Sequence, residues 1–265
     1  MEASDTLAGL RRSLAAIAAA ETGFGDEPAR FTFGVPEMDR AVGGGLPRGT
    51  LHDVYAAEVA DGAAAFGFGL ALMLRATESG RKIVWVRQDM TARELGELYP
   101  PGLAEFGADP SAILTVRVRD ALAALRAGNE ALRCAALGAV AIEIWGAPKA
   151  LDLTATRRLA RAAERTGVTA LLLHVSAEPM PSAALSRWRI RTSRSRALAA
   201  GAPGASVFEA DLLRHRAGFP PRSFRVEWNR DECVFREPAL SGSVAAFAAD
   251  RPAAPVEAPR RRRAG

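Results

Sequence analysis

Five guanidinium groups crowd ten residues: Arg187, Arg189, Arg191, Arg194 and Arg196, with Trp188 among them. Phosphate oxygens are what planar, bidentate donors of this kind bind best. On a strand, Arg187, Arg189 and Arg191 share one face, and Trp188, Ile190 and Thr192 share the other. One face could grip phosphates while Trp188 packs inward. The alternative is a solvated edge strand protected by its charge. Arg214, Arg216, Arg222 and Arg225 add to the same region. Arg260, Arg261, Arg262 and Arg263 form a cationic tag that could meet DNA or an acidic partner, or only keep the chain soluble. The two cysteines, Cys134 and Cys233, are far apart, and His52, His174 and His215 are scattered. This spacing makes neither a disulfide framework nor a zinc site, and both thiols are expected to be buried and reduced.

The charge is unevenly placed. Residues 1–185 carry a net −3, residues 186–236 a net +6 and the remainder a net +2. The basic character therefore belongs to the C-terminal part, which could face nucleic acid or an acidic protein. Arginine supplies 33 of the 35 basic residues, a bias that codon usage alone can produce. A length of 265 residues allows one full α/β domain with short appendages. No uninterrupted apolar run approaches the roughly 18 residues of a membrane helix, and the N-terminus lacks a signal-peptide layout. A cytoplasmic protein is expected.

These side chains need elements to hold them. Leu7, Leu10, Leu14 and Ile17 recur at helical spacing, so residues 5–21 read as an amphipathic helix, and residues 1–24 as helix plus linker. Apolar strands at 50–56, 82–87, 112–118, 138–144 and 168–175 alternate with helices at 63–79, 91–98, 120–136 and 152–166. Such a sequence implies a mostly parallel sheet with helices on both faces. Strands at 184–192, 205–215, 222–229 and 232–236 follow, with a turn at Asn229-Arg230-Asp231, and make an antiparallel extension. The core thus spans 31–236, and the Ala/Pro/Arg-rich tail 241–265 is expected to be disordered.

The segment from Phe33 to Thr50, FGVPEMDRAVGGGLPRGT, resembles the entry to the RecA ATPase core at Gly34, Pro36, Asp39, Ala41, Gly43, Gly45, Leu46, Pro47 and Gly49. A short helix ending in glycines and a Pro-x-Gly turn into a strand are its physical content. The resemblance implies a RecA-like fold and a phosphate loop of the form G-x-x-x-x-G-K-[ST] immediately after the first core strand. Here that place reads AAEVADGAAAFG, residues 56–67. Gly62 and Gly67 remain, but the lysine and the magnesium-holding hydroxyl are missing. Only Lys82 and Lys149 exist in the chain. Glu58 and Asp61 put like charge where phosphates would lie, opposing them by about a few kcal/mol. By the same resemblance Glu143 takes the position of the magnesium-supporting aspartate, or else is a strand-end carboxylate with a structural partner. Asp89 could stand for the catalytic carboxylate. Where a polar Asn-Gln switch would follow the fifth strand, the chain reads LHVS (173–176) with no glutamine, and His174 is a core or rim histidine or else a catalytic base. About ten residues, 176–185, stand where a long DNA-binding loop would be.

A RecA-like chain without its phosphate lysine, with ALSRWRI at 184–190 and the FEADLLRHRAG…FRVEW segment at 208–228, resembles the ImuA family over residues 5–236. That resemblance implies a damage-inducible accessory of translesion DNA synthesis, and the missing phosphate lysine and hydroxyl imply that it is non-enzymatic and needs no cofactor. The implied partners are an ImuB-like homologue of Y-family polymerases, an error-prone C-family DNA polymerase and RecA itself. The alternative is a division inhibitor of the SulA type, also RecA-like without a phosphate loop, which would bind FtsZ.

Overall fold

The glycine-rich entry sets the first piece of architecture in the computed structural model, which describes residues 29–196, 198, 202 and 204–238. Helix α1 (Pro36–Ala41) starts on a proline, whose fixed φ suits a first helical position. Asp39 folds back so that its carboxylate accepts from Phe33 N at 2.7 Å and Gly34 N at 3.3 Å. The helix then stops on Gly43, Gly44 and Gly45, all at positive φ (78°, 94° and 115°). A Cβ on Gly45 would meet Phe31 O at 2.5 Å, so only glycine fits this turn. Strand β1 (Arg30–Phe31) thereby pairs antiparallel with β2 (Leu46–Pro47).

The main sheet has nine strands: β3 (Leu51–Ala56), β4 (Lys82–Gln88), β5 (Ile113–Val118), β6 (Leu137–Trp145), β7 (Thr169–Val175), β8 (Ser186–Ser193), β9 (Val207–His215), β10 (Arg222–Asn229) and β11 (Val234–Arg236). Their spatial order is β11-β10-β9-β8-β3-β7-β6-β4-β5. From β8 to β5 all neighbours are parallel. From β8 to β11 they are antiparallel. The chain is an α/β protein with a mostly parallel sheet and an antiparallel extension, consistent with a RecA-like core. Strand β8 lies inside this sheet, between β3 and β9, and is not an edge strand.

Helices cover both faces, which is why β3, β6 and β7 are buried almost throughout. Helix α2 (Gly62–Ala76) lies on one face with Trp85, Trp188, Phe33, Phe68 and Phe235. With the preceding turn it is long and apolar enough to cross a membrane by length and composition, and its burial against the sheet accounts for that. The short α3 (Asp89–Leu95) and α4 (Pro100–Glu105) follow β4. Helices α5 (Ala121–Ala131) and α6 (Leu153–Thr166) cover the other face with Leu51, Val86, Ile142 and Leu172. Helix α6 is capped at both ends: Asp152 accepts from Ala155 N at 2.7 Å, and Gly167 closes it at φ 74°. It buries Leu159, Ala160 and Ala163 and leaves Arg157, Arg158, Arg161, Glu164 and Arg165 exposed.

Some sequence expectations need correction. The helix expected at 120–136 ends at Ala131, where a turn carries Cys134 into solvent. Cys233 is only half-buried, at φ 50° in the last hairpin, so neither thiol is a core residue. That hairpin pairs Asn229 with Val234 and therefore turns through Arg230–Cys233, one residue later than expected. The helix expected at 5–21 and the tail at 241–265 lie outside the described residues.

Candidate functional site

Strand β3 ends at Ala56, and after Ala57 and Glu58 a single 3-10 turn, Val59–Asp61, runs straight into α2. Glu58 is exposed at the tip of this connection. Asp61 is nearly buried, and its Oδ1 accepts from Thr192 N at 2.8 Å, tying the connection to the end of β8. At Gly62 an added Cβ would overlap the Leu95 side chain, so Leu95 of α3 lies directly on the first turn of α2. Gly67 sits in the second turn of α2, where a Cβ would stand 3.4 Å from the Phe208 ring. The four residues therefore do not encircle an anion: one is solvated, one ties down β8, one lies under a leucine and one packs against an aromatic ring.

Beside this corner, on the same face of the sheet, Glu143 is fully buried on β6. Trp85 Nε1 donates to it at 2.6 Å, and Arg87 Nε donates at 2.8 and 3.0 Å. The register places these groups together, because Trp85 pairs with Ala141 and Val86 with Ile142. Burial pushes the Glu143 carboxyl up to about 7, against the pull of Arg87 and the two donors. Arg87 Nη1 also reaches Glu97 at 3.4 Å, and Arg117 binds Asp89 at 2.6 Å. Both carboxylates considered for magnesium or base chemistry, Glu143 and Asp89, thus carry arginine partners.

A second buried cluster lies on the opposite face. Asp53, fully buried on β3, faces His174 Nε2 at 3.4 Å and Arg187 Nε at 3.3 Å. Tyr55 stacks on His174 with ring centroids 4.0 Å apart and planes 2° from parallel. Burial, reinforced by Asp53, pushes the Tyr55 hydroxyl up to about 12. His174 is a core residue, and its Nδ1 has no hydrogen-bond partner.

The basic strand divides accordingly. Trp188 is fully buried against Phe33, Phe68 and Phe224. Arg187 belongs to Asp53, Arg189 pairs with Glu178 at 3.3 Å, and Arg191 pairs with Asp211 at 2.9 Å. Arg194 and Arg196 are exposed beyond the strand, and Arg260 to Arg263 fall outside the described residues. Arg214 and Arg216 instead meet α6. With Arg157, Arg161, Glu164 and Arg187 they line a groove of about 790 Å³. Sequence reading missed Arg157 and Arg161. Their signal was the i, i+4 spacing within RRLAR (157–161), which puts two arginines on one helix face. Among the described residues no group of three His, Cys, Asp or Glu side chains is placed to hold a metal.

No family model matches the chain. Two curated proteins do, both named Protein ImuA and both from Caulobacter vibrioides, in strains NA1000 / CB15N and ATCC 19089 / CIP 103742 / CB 15. Each is 34% identical over 209 residues, covering 71% of this chain and 80% of the relative. At that identity and coverage, the chain belongs to the ImuA family.

Proposed function

We propose that this chain is a non-catalytic accessory protein of an error-prone translesion DNA synthesis complex, induced in the SOS response to DNA damage and working in the cytoplasm. It acts by contacts with an ImuB-like Y-family polymerase homologue, an error-prone C-family polymerase and RecA. Membership of the ImuA family supports the setting. One observation carries the mechanism: the corner where a triphosphate would sit is occupied by the chain's own groups. Leu95 lies on the helix turn that would present its amides to phosphate, and Asp61 spends its carboxylate on Thr192 N. An anion entering there would displace an apolar side chain, face Glu58 and Asp61, and find no lysine.

Affinity capture of the tagged full chain from damage-treated cells tests the reading. Polymerase-like partners recovered in an ATP-independent manner are expected. Capture of FtsZ in their place would overturn it in favour of a division inhibitor, and magnesium-dependent ATP turnover by the purified chain would overturn the non-catalytic role.

A further inference from the structure

We infer that the groove between α6, the connection preceding β8 and the end of β9 is a sequence-independent binding site for the phosphate backbone of a nucleic acid. This goes beyond the partner contacts proposed above and does not depend on them. Arg157 and Arg161 stand one turn apart on α6, exposed, with no ion pair or hydrogen bond among the described residues. Across the groove, Arg214 Nη1 donates only to Ser182 O at 3.5 Å, and Arg216 Nη1 only to Ala183 O at 3.2 Å. Carbonyl partners orient a guanidinium without cancelling its charge. Arg187, also in the wall, is compensated by Asp53. Four uncompensated arginines therefore face a single carboxylate, Glu164.

Shape selects the ligand class. The groove adjoins a second space of about 290 Å³, with which it shares Ala160, Glu164, Ala183 and Arg216. Along α6 it runs from Leu153 to Glu164, about 17 Å at 1.5 Å per residue. Several phosphates of one strand fit that length. No aromatic side chain lines either space, so bases have no stacking platform and the contact must be to the backbone. An acidic peptide is less well served. Strands β8 and β9 are hydrogen-bonded on both sides, leaving no edge for a peptide to extend.

The test uses the full chain, a labelled 30-nucleotide single strand, its duplex and a polyglutamate peptide, read by fluorescence anisotropy across salt concentrations. Binding to at least one of the two DNAs, weakening as salt rises, is expected. Arg157→Glu with Arg161→Glu should lower that affinity by about tenfold or more and flatten the log–log salt slope by about 2. Arg158→Glu with Arg165→Glu makes the same charge change on the same helix outside the groove, and should stay within about twofold. The milder Arg157→Gln with Arg161→Gln should give the same ordering with a smaller loss, and guards against misfolding of the reversed pair. Equal losses in both pairs, no loss in either, or tighter binding of polyglutamate than of both DNAs would overturn the assignment.

Discussion

The corner after β3 and the groove beside α6 are both places where an anion could be received, and they are finished in opposite ways. At the corner every charge has a protein partner or points away. Asp61 is tied to β8, Glu143 is held by Arg87 and Trp85, and Leu95 fills the helix mouth. In the groove, Arg157, Arg161, Arg214 and Arg216 keep their charge. Inside a low-dielectric sheet an unpaired charge is costly, so the buried charges at the corner are met by the chain's own groups. At the surface an unpaired guanidinium costs almost nothing and stays available. Bound anions, on this account, are a matter for the groove.

The comparison can be broken first at its buried end. Removing the guanidinium of Arg87 by Arg87→Ala leaves Glu143 unpaired in the core and should cost about 3–5 kcal/mol in urea unfolding. Replacing both partners, Arg87→Met with Glu143→Leu, should recover most of that loss. If the single and the double variant are equally unstable, the pair is not what holds the corner. Trp188→Ala, which empties a fully buried site behind the basic strand, should cost a similar 3–5 kcal/mol, read as a fall in Tm.

Acid probes the same interior more gently. Burial holds His52 down to about 3 and His215 down to about 4, both below the ordinary histidine value. Near pH 7 both are neutral in the folded and unfolded chain and the stability contribution is intact. As pH falls below 6.5 the unfolded chain takes up protons that the folded chain refuses, so stability is lost progressively toward pH 4 and below. At pH 5 the loss approaches about 2 kcal/mol for His52 and is smaller for the less enclosed His215. His52 packs between Thr50 and Ser186, each 2.8 Å from a ring nitrogen. His52→Gln should lower Tm at pH 7 and reduce the further drop between pH 7 and pH 5. An unchanged drop would assign the acid sensitivity elsewhere.

The smallest effect belongs to the groove. Arg157→Gln and Arg161→Gln should each move stability by less than about 0.5 kcal/mol, because their side chains touch no partner. A larger cost would mean that these arginines are structural and would erase the contrast.

Much of the fold was legible because the signals were local. Near-continuous apolar runs such as VTALLLHV mark strands buried on both faces, and the glycines of GVPEMDRAVGGGLPRG announce the left-handed turns found at Gly34, Gly43, Gly45 and Gly49. That residues 56–67 hold no lysine was legible for the same reason, within one short segment. What covers this corner was not, since Leu95 arrives from α3, more than thirty residues along the chain. The arginine strand misled in an instructive way. Its periodicity gave the faces correctly, with Trp188 inward, but Glu178, Asp211 and Asp53 come from other segments to meet its charges. The uncompensated cluster joins α6 to β9 and exists only through packing. Cys134 was expected in the core by residue type, and the early end of α5 puts it in solvent.

Titration of the purified full chain with ATP and magnesium ions, followed calorimetrically and by phosphate release, tests the filled corner most directly. No saturable heat and no release above the protein-free rate are expected. Saturable, magnesium-dependent binding with turnover would contradict it.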